Sequence, residues 1–182
     1  MVSQTRMKFF GALLSVASVT AMGEHRMIPV GDRRLSIDCD GKGSTTVVLM
    51  AGGGRTAKDW VKVQPEVSTF TRVCSYDYAG FGESDKASSP IQPVAEVVED
   101  LHQLLIASHE SGPFILVGHS VAGIYARSFV AEYPTRVAGL VFVDSAHEEQ
   151  ALRFNELDPS WQALDEESAQ WGLYVEPGQR LK

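Results

Sequence analysis

Several stretches of the chain are apolar at nearly every position, which is typical of strands that helices cover on both faces of a sheet. They are residues 46–51, 114–117 and 137–143; residues 72–76, R-V-C-S-Y, are predicted as a shorter and more polar strand between them. Residues 34–39 instead alternate apolar and polar side chains, which predicts a half-exposed, antiparallel outer strand. Apolar residues recur at helical spacing after Pro93 and again after Ser120. This alternation predicts an α/β fold: a mostly parallel sheet with helices on both faces.

The junction between one apolar run and the following helical segment is a sharp turn at a serine. Residues 118–122 read G-H-S-V-A, so Ser120 has the small neighbours Gly118 and Ala122. This pattern resembles the G-x-S-x-G nucleophile elbow of the α/β-hydrolase family, with alanine in place of the second glycine. The alternative is an ordinary turn that joins a buried strand to a helix.

Small and polar residues also follow the other predicted strands at their carboxyl ends, where ligands of α/β sheets bind. We expect these residues to meet Ser120 at one edge of the sheet; they are Gly52, Gly53, Gly54, Asp77 and Asp144. A substrate pocket is expected to be lined by Gly52, Gly54, Asp77 and His119. Residues 77–85 resemble the D-x-x-G-x-G-x-S loop of the same family. The resemblance extends over residues 34–150 and implies an α/β-hydrolase fold that is incomplete at its carboxyl end.

The resemblance also implies a chemistry. Acyl-transfer hydrolases need a nucleophile, a base, an orienting acid and N–H donors for the oxyanion. By position these are Ser120 as nucleophile and the backbone N–H groups of Gly53 and Val121 as donors. We therefore expect hydrolysis of a carboxylic ester or related acyl bond in a small-molecule substrate, without a cofactor. Haloalkane dehalogenation is disfavoured, because that branch of the family has aspartate at the elbow.

The sequence lacks the catalytic histidine that acts as base in the family. In the family a histidine near the end of a longer chain follows the acid, whereas only His147 follows Ser120 here. Asp144 and His147 are candidates for acid and base, although both would have to turn toward Ser120. The chain thus corresponds to the amino-terminal two-thirds of a hydrolase, and we expect very low turnover from it. An alternative is a non-catalytic remnant or binding module of the same fold.

The ends of the chain differ from its middle. Residues 1–23 have the order of a secretory signal peptide, with Arg6 and Lys8 before a short apolar stretch and small residues after it. We expect export to the periplasm or the extracellular space and no stable membrane anchor after cleavage; the alternative is an uncleaved tethering helix. Residues 24–147 are the expected core. Residues 148–182, acidic with Trp161 and Trp171, are expected to begin a helical lid.

The net charge and the two cysteines narrow the expected partners and the expected covalent cross-links. The net charge of −7 and the pI near 5.2 argue against a nucleic-acid partner. No cluster has metal-ligand spacing. The family's strand order makes neighbours of the strands that carry Cys39 and Cys74, so the resemblance implies a disulfide in an oxidising compartment. The alternative is two buried free thiols.

Two further expectations concern partners. If the chain ends at Lys182, residues 137–143 form an apolar sheet edge, and such edges recruit other chains, so we expect self-association. Residues 52–57 also match G-x-G-x-x-A after a strand, with Asp77 at the end of the next strand, as in a dinucleotide-binding oxidoreductase. Against that alternative, a further strand precedes the glycines and the elbow stays unexplained.

Overall fold

A computed structural model describes residues 23–89 and 92–157 of the chain, so the predicted signal segment and most of the predicted lid lie outside the described residues. The strands are β1 (Glu24–Val30), β2 (Arg33–Asp40), β3 (Thr46–Met50), β4 (Arg72–Tyr76), β5 (Phe114–His119) and β6 (Val137–Val143). The α-helices are α1 (Gln64–Ser68), α2 (Val94–Ala107), α3 (Ala122–Glu132) and α4 (Gln150–Leu157). Short 3₁₀ helices span Ala57–Trp60 and Pro134–Arg136.

The six strands form one sheet in the order β1-β2-β4-β3-β5-β6. The four strands from β4 to β6 run parallel, and β2 pairs antiparallel with both β1 and β4. The predicted mostly parallel sheet is therefore confirmed, and residues 34–39 are antiparallel as expected. The expectation that they form a half-exposed outer strand is wrong, because β2 lies between β1 and β4 and its residues Leu35, Ser36, Ile37 and Cys39 are buried. Sequence analysis missed β1, which turns back into β2 through Gly31 at a φ of +59°. As an edge strand, β1 tolerates Pro29.

Both faces of the sheet are covered by helical segments, as predicted. On one face α2 buries Leu101, Leu104 and Leu105, and α3 buries Phe129. On the other face, Val47, Leu49 and Val73 pack with Trp60 of the first 3₁₀ helix. Burial of such side chains contributes about 1.5–3 kcal/mol each to stability. None of the described helices combines the length and apolarity needed to cross a membrane.

A disulfide joins Cys39 of β2 to Cys74 of β4, which stand directly opposite each other in the antiparallel register. Beside it lies the buried carboxylate of Glu110, from the loop after α2. Arg72 donates to this carboxylate at 2.7 Å, and Arg26 of β1 donates to it at 3.3 Å. The pairs link β1 and β4 to this loop.

Strand β6 is the outermost parallel strand, and among the described residues it pairs only with β5. Three consecutive apolar side chains near its end stay exposed: Val141 at 46%, Phe142 at 47% and Val143 at 39%. The predicted exposure of this apolar run is therefore present in the described part of the chain. Self-association through it remains a proposal.

Candidate active site

The turn between β5 and α3 places Ser120 in a strained backbone conformation. Its φ is +54°, in the left-handed region that few non-glycine residues occupy and that costs on the order of 1–3 kcal/mol. The N–H of Ser120 donates to the carbonyl of Val143 at 3.1 Å, which ties the turn to the end of β6. A Cβ at Gly118 would lie 2.8 Å from the backbone carbonyl of Ala122, so only glycine fits there.

The peptide bond between Ser120 and Val121 is fixed by hydrogen bonds to its carbonyl oxygen. The Ser120 carbonyl accepts the N–H of Gly123 and the N–H of Ala146, both at 3.0 Å. The Ser145 hydroxyl lies 3.4 Å from the same oxygen, although its shorter contact, 3.0 Å, is to the Ala146 carbonyl. Donors on a carbonyl polarise the whole peptide, and the N–H of this peptide belongs to Val121. The two backbone donors therefore orient and strengthen that N–H group.

The glycine loop after β3 packs directly on the elbow. A Cβ at Gly52 would lie 2.9 Å from Nδ1 of His119 and 3.3 Å from Cβ of Ser120. Gly54 has a φ of +68°, and both Gly53 and Gly54 line a pocket beside the elbow. The structure thus brings together the glycine loop, His119 and Ser120.

Asp77 lies at the end of β4, as expected, but its carboxylate is engaged by backbone groups. Its two oxygens accept the N–H of Ala57 at 2.7 Å and the N–H of Glu83 at 2.9 Å. Gly82, at a φ of +55°, leaves room for this carboxylate, because a Cβ there would lie 2.0 Å from it. Asp77 therefore connects the loop after β3 to the loop after β4.

Tyr78, which sequence analysis did not single out, fixes the backbone immediately before the glycine loop. Its buried hydroxyl donates to the Ala51 carbonyl at 2.9 Å, immediately before the glycines. Its ring meets the rings of Tyr76 and Tyr125 edge to face, with centroids 5.1 and 5.6 Å apart. Burial raises the pKa of Tyr78 well above its usual value and raises the pKa of Tyr125 to about 12, so both phenols stay neutral.

Asp144 and His147 follow β6 and reach the same end of the sheet. Asp144 is exposed and has a φ of +45°. The His147 side chain is 59% exposed, and its Nδ1 accepts the N–H of Glu149 at 3.1 Å. Within residues 23–89 and 92–157, no histidine ring forms a hydrogen bond with the Ser120 hydroxyl. The structure does not join Asp144, His147 and Ser120, and their roles as acid and base remain predictions.

Arg127 of α3 holds the segment that follows β6, a contact without any sequence signal that we recognised. Its guanidinium donates to both carboxylate oxygens of Glu148, at 2.8 and 3.0 Å, and to the Ala146 carbonyl at 2.9 Å. It also lies 5.4 Å from the centroid of the Phe142 ring. Burial is the largest single influence and would raise the pKa of Glu148, but the hydrogen bonds from Arg127 and from the Glu148 backbone N–H, together with the charges of Arg127 and His147, outweigh it, and the pKa is lowered.

This lowered pKa predicts an acid-sensitive contact. A carboxyl whose pKa is lower in the folded state stabilises the fold fully when the pH is above its unfolded-state pKa, about 4.3. That contribution is lost as the pH falls through the folded-state pKa. We expect Glu148→Gln to lower the free energy of unfolding by roughly 1–2 kcal/mol at pH 7, because it weakens a charge-assisted hydrogen bond. At pH 3 the difference from wild type should largely vanish.

Urea unfolding at both pH values measures this difference. Glu149→Gln is the matched control, since Glu149 pairs with Arg153 on the exposed surface, and it should change stability little at either pH. A deficit of Glu148→Gln that stays constant from pH 7 to pH 3 would contradict the assignment.

The candidate sites for metals and dinucleotides can be judged from the same geometry. Among the described residues the cluster of potential metal ligands is Cys39, Cys74 and Glu110. Its sulfurs form the disulfide and its carboxylate binds two arginines. The glycine loop leads into a 3₁₀ helix of 4 residues and then α1 of 5 residues, rather than the long helix whose N-terminus holds a pyrophosphate.

Comparison with known proteins agrees with the fold. The sequence profile of the alpha/beta hydrolase fold matches residues 45–170. An uncharacterized protein of Schizosaccharomyces pombe is 30% identical over 156 residues, which cover 70% of this chain and 29% of that protein. The (lyso)-N-acylphosphatidylethanolamine lipase of Bos taurus is 30% identical over 102 residues, 55% of this chain and 30% of that protein.

Among solved structures, an alpha/beta hydrolase from Novosphingobium aromaticivorans superimposes with a TM-score of 0.63 at 26% identity, covering 74% of this chain and 49% of that one. The chain belongs to the α/β-hydrolase fold family. It spans less than a third of the two sequence relatives and about half of this structure.

Proposed function

We propose that the protein to which this chain belongs hydrolyses carboxylic esters or related acyl bonds, with Ser120 as the nucleophile. The observation that carries the proposal is the positive φ of Ser120 at a strand-turn-helix junction, 54°. Such strain costs stability and is characteristic of functional sites, where it holds a side chain in the required direction. The named lipase among the relatives supports an ester-type substrate.

In the proposed reaction, the Ser120 oxygen attacks the substrate carbonyl carbon while a general base takes its proton. The carbonyl oxygen becomes an oxyanion, which the backbone N–H groups of Val121 and Gly53 stabilise. The Val121 donor is favoured by the two hydrogen bonds on the Ser120 carbonyl. The alcohol then leaves with a proton, and water hydrolyses the acyl-serine to free acid. Among the described residues, geometry supports the assignment of Ser120 and of the Val121 donor. Gly53 is assigned by the resemblance and by its place on the pocket wall.

Turnover by this chain alone is expected to be low, because no described histidine forms a hydrogen bond with the Ser120 hydroxyl. An oxyanion hole and substrate binding can still leave a residual rate about 10³–10⁴ above that in water. Ester hydrolysis at ordinary enzyme rates that disappears in His147→Ala would instead show that the local histidine acts as base. We further propose that the protein is exported; the order of residues 1–23 and the disulfide support this.

Labelling with a fluorophosphonate probe tests the proposal. We expect the folded chain to react covalently and Ser120→Ala to lose the label. Ser68→Ala is the matched control, because Ser68 is a partly exposed serine at the end of α1, and it should label like wild type. A folded wild-type chain that does not label would favour the second candidate, a binding module of the same fold. The position of His147, turned to solvent, is the observation that keeps this candidate open.

A further inference from the structure

A pocket of about 270 Å³ lies beside the glycine loop, and the proposed mechanism assigns it no role. One wall is the backbone of Gly53 and Gly54. The loop after β4 also lines it, and Tyr125 of α3 contributes to the pocket as well. Small-molecule sites in proteins are concave and mostly apolar, with a few placed polar groups. The pocket has this character and adjoins the proposed oxyanion hole.

Aromatic and aliphatic side chains give the pocket an apolar surface. The rings of Tyr78 and Tyr125 pack edge to face with their centroids 5.6 Å apart, which fixes both of them. The Tyr78 hydroxyl is committed to the Ala51 carbonyl, so it is not offered to a ligand. Phe81 and Val97 add further apolar area. Fixed ring edges and faces of this kind favour a flat, apolar ligand group.

Lys86 is the charged side chain among the described residues that line the pocket. The carboxylates nearest to it in sequence are engaged elsewhere: Asp85 pairs with Arg34 at 3.0 Å, and Glu83 lies 3.4 Å from His25. No carboxylate of the described residues forms an ion pair with Lys86. An ammonium that lines an apolar pocket, with no carboxylate partner in residues 23–89 and 92–157, is a point charge that an anionic ligand group can pair with.

We propose that this pocket binds a flat apolar group that carries a carboxylate, with Lys86 as the partner of the carboxylate. The inference rests on the proposed function for its link to Ser120, because Gly53 belongs both to the pocket wall and to the proposed oxyanion hole. It narrows the substrate class to esters that hold an aromatic or alicyclic ring and a separate, anionic carboxylate. The ring occupies the tyrosine-lined space, and the anion faces Lys86.

Titration of the purified chain with phenylacetate, followed by NMR, tests the inference without requiring turnover. Phenylacetamide, in which an uncharged amide replaces the carboxylate, is the control ligand. We expect phenylacetate to bind about fivefold more tightly than the amide, the effect of one charge pair at about 4 Å in water. Lys86→Met should remove the difference, and Lys58→Met, at an exposed lysine outside the pocket, should retain it. Ala87→Trp, which fills the pocket, should weaken binding of both compounds.

The outcomes separate this inference from the proposed function. Equal binding of acid and amide would overturn the role of Lys86, and failure of the folded chain to bind either compound would overturn the pocket. Fluorophosphonate labelling of Ser120 is measured on the same sample. Labelling without phenylacetate binding leaves the hydrolase proposal standing and removes the pocket. Phenylacetate binding without labelling supports the pocket and favours the binding module over the hydrolase proposal.

Discussion

Gly118→Val is expected to reduce fluorophosphonate labelling of Ser120 by about 100-fold, the cost of a displacement of about 1 Å at a reacting group. The reason is the approach of backbone to backbone at the elbow. A Cβ at Gly118 would lie 2.8 Å from the carbonyl carbon and oxygen of Ala122 and 2.9 Å from the Gly123 nitrogen. Backbone atoms cannot rotate away as a side chain can, so the turn itself must shift. We expect an accompanying loss of about 3 kcal/mol in the free energy of unfolding.

Gly139→Val is the matched control, because the same change is made in a strand of the same sheet. The nearest atom to a Cβ at Gly139 is a side-chain carbon of Ile115 at 4.0 Å, an ordinary contact. Both substitutions gain the strand propensity of valine, so the comparison isolates the crowding. Rates of labelling and urea unfolding curves are measured for both variants. Wild-type labelling in Gly118→Val would show that the elbow geometry does not govern the reactivity of Ser120.

Removal of the disulfide is expected to lower the free energy of unfolding by about 4 kcal/mol, from the loop-closure entropy of a chain segment of this length. The bond joins residues 35 positions apart, and it closes a loop that contains β3, the 3₁₀ helix and α1. A loss of that size is comparable to a large part of the stability of an ordinary domain. The double variant Cys39→Ala, Cys74→Ala removes the bond and fills both positions with small apolar groups.

Urea unfolding with and without a reducing agent measures the effect. Reduction of the oxidised wild type should lower its free energy of unfolding by most of the predicted disulfide contribution, about 4 kcal/mol. The double variant should unfold identically in both conditions. Alkylation of the unfolded, unreduced chain, followed by mass spectrometry, checks that the bond is present at the start. A wild-type chain whose unfolding does not respond to reduction, despite an intact bond beforehand, would contradict the predicted contribution.

The architecture could be predicted from sequence where local patterns dominate. The apolar runs that became β3, β5 and β6 are continuous, and the elbow at Ser120 is marked by small neighbours on both sides. Strand β1 was missed because residues 24–30 carry charges and Pro29 without clear alternation. Pairing with β2 and the contact of Arg26 with Glu110, 84 positions away, support this strand. Contacts of that range have no local signal.

The features of the candidate site likewise divide into those that could be predicted from the sequence and those that could not. The position of Asp77 at a strand end was predictable, because strand ends in parallel sheets meet at one edge. Its partners were not, because the N–H donors of Ala57 and Glu83 come from two different loops. Arg127 was likewise invisible, since its role depends on a carboxylate 21 positions later. Whether a polar group faces a ligand or the backbone is decided by such distant partners.

Strand β6 also bears on the behaviour of the chain before it is fully folded. Residues 137–143, V-A-G-L-V-F-V, form a seven-residue stretch with high strand propensity and neither charge nor proline. Segments of this composition form steric zippers when unfolded chains meet. Natural sequences place charged gatekeepers at the ends of such segments, and Arg136 and Asp144 stand at those two positions. The charge of Asp144 is therefore expected to oppose amyloid-like stacking of this segment, whatever part Asp144 has in catalysis.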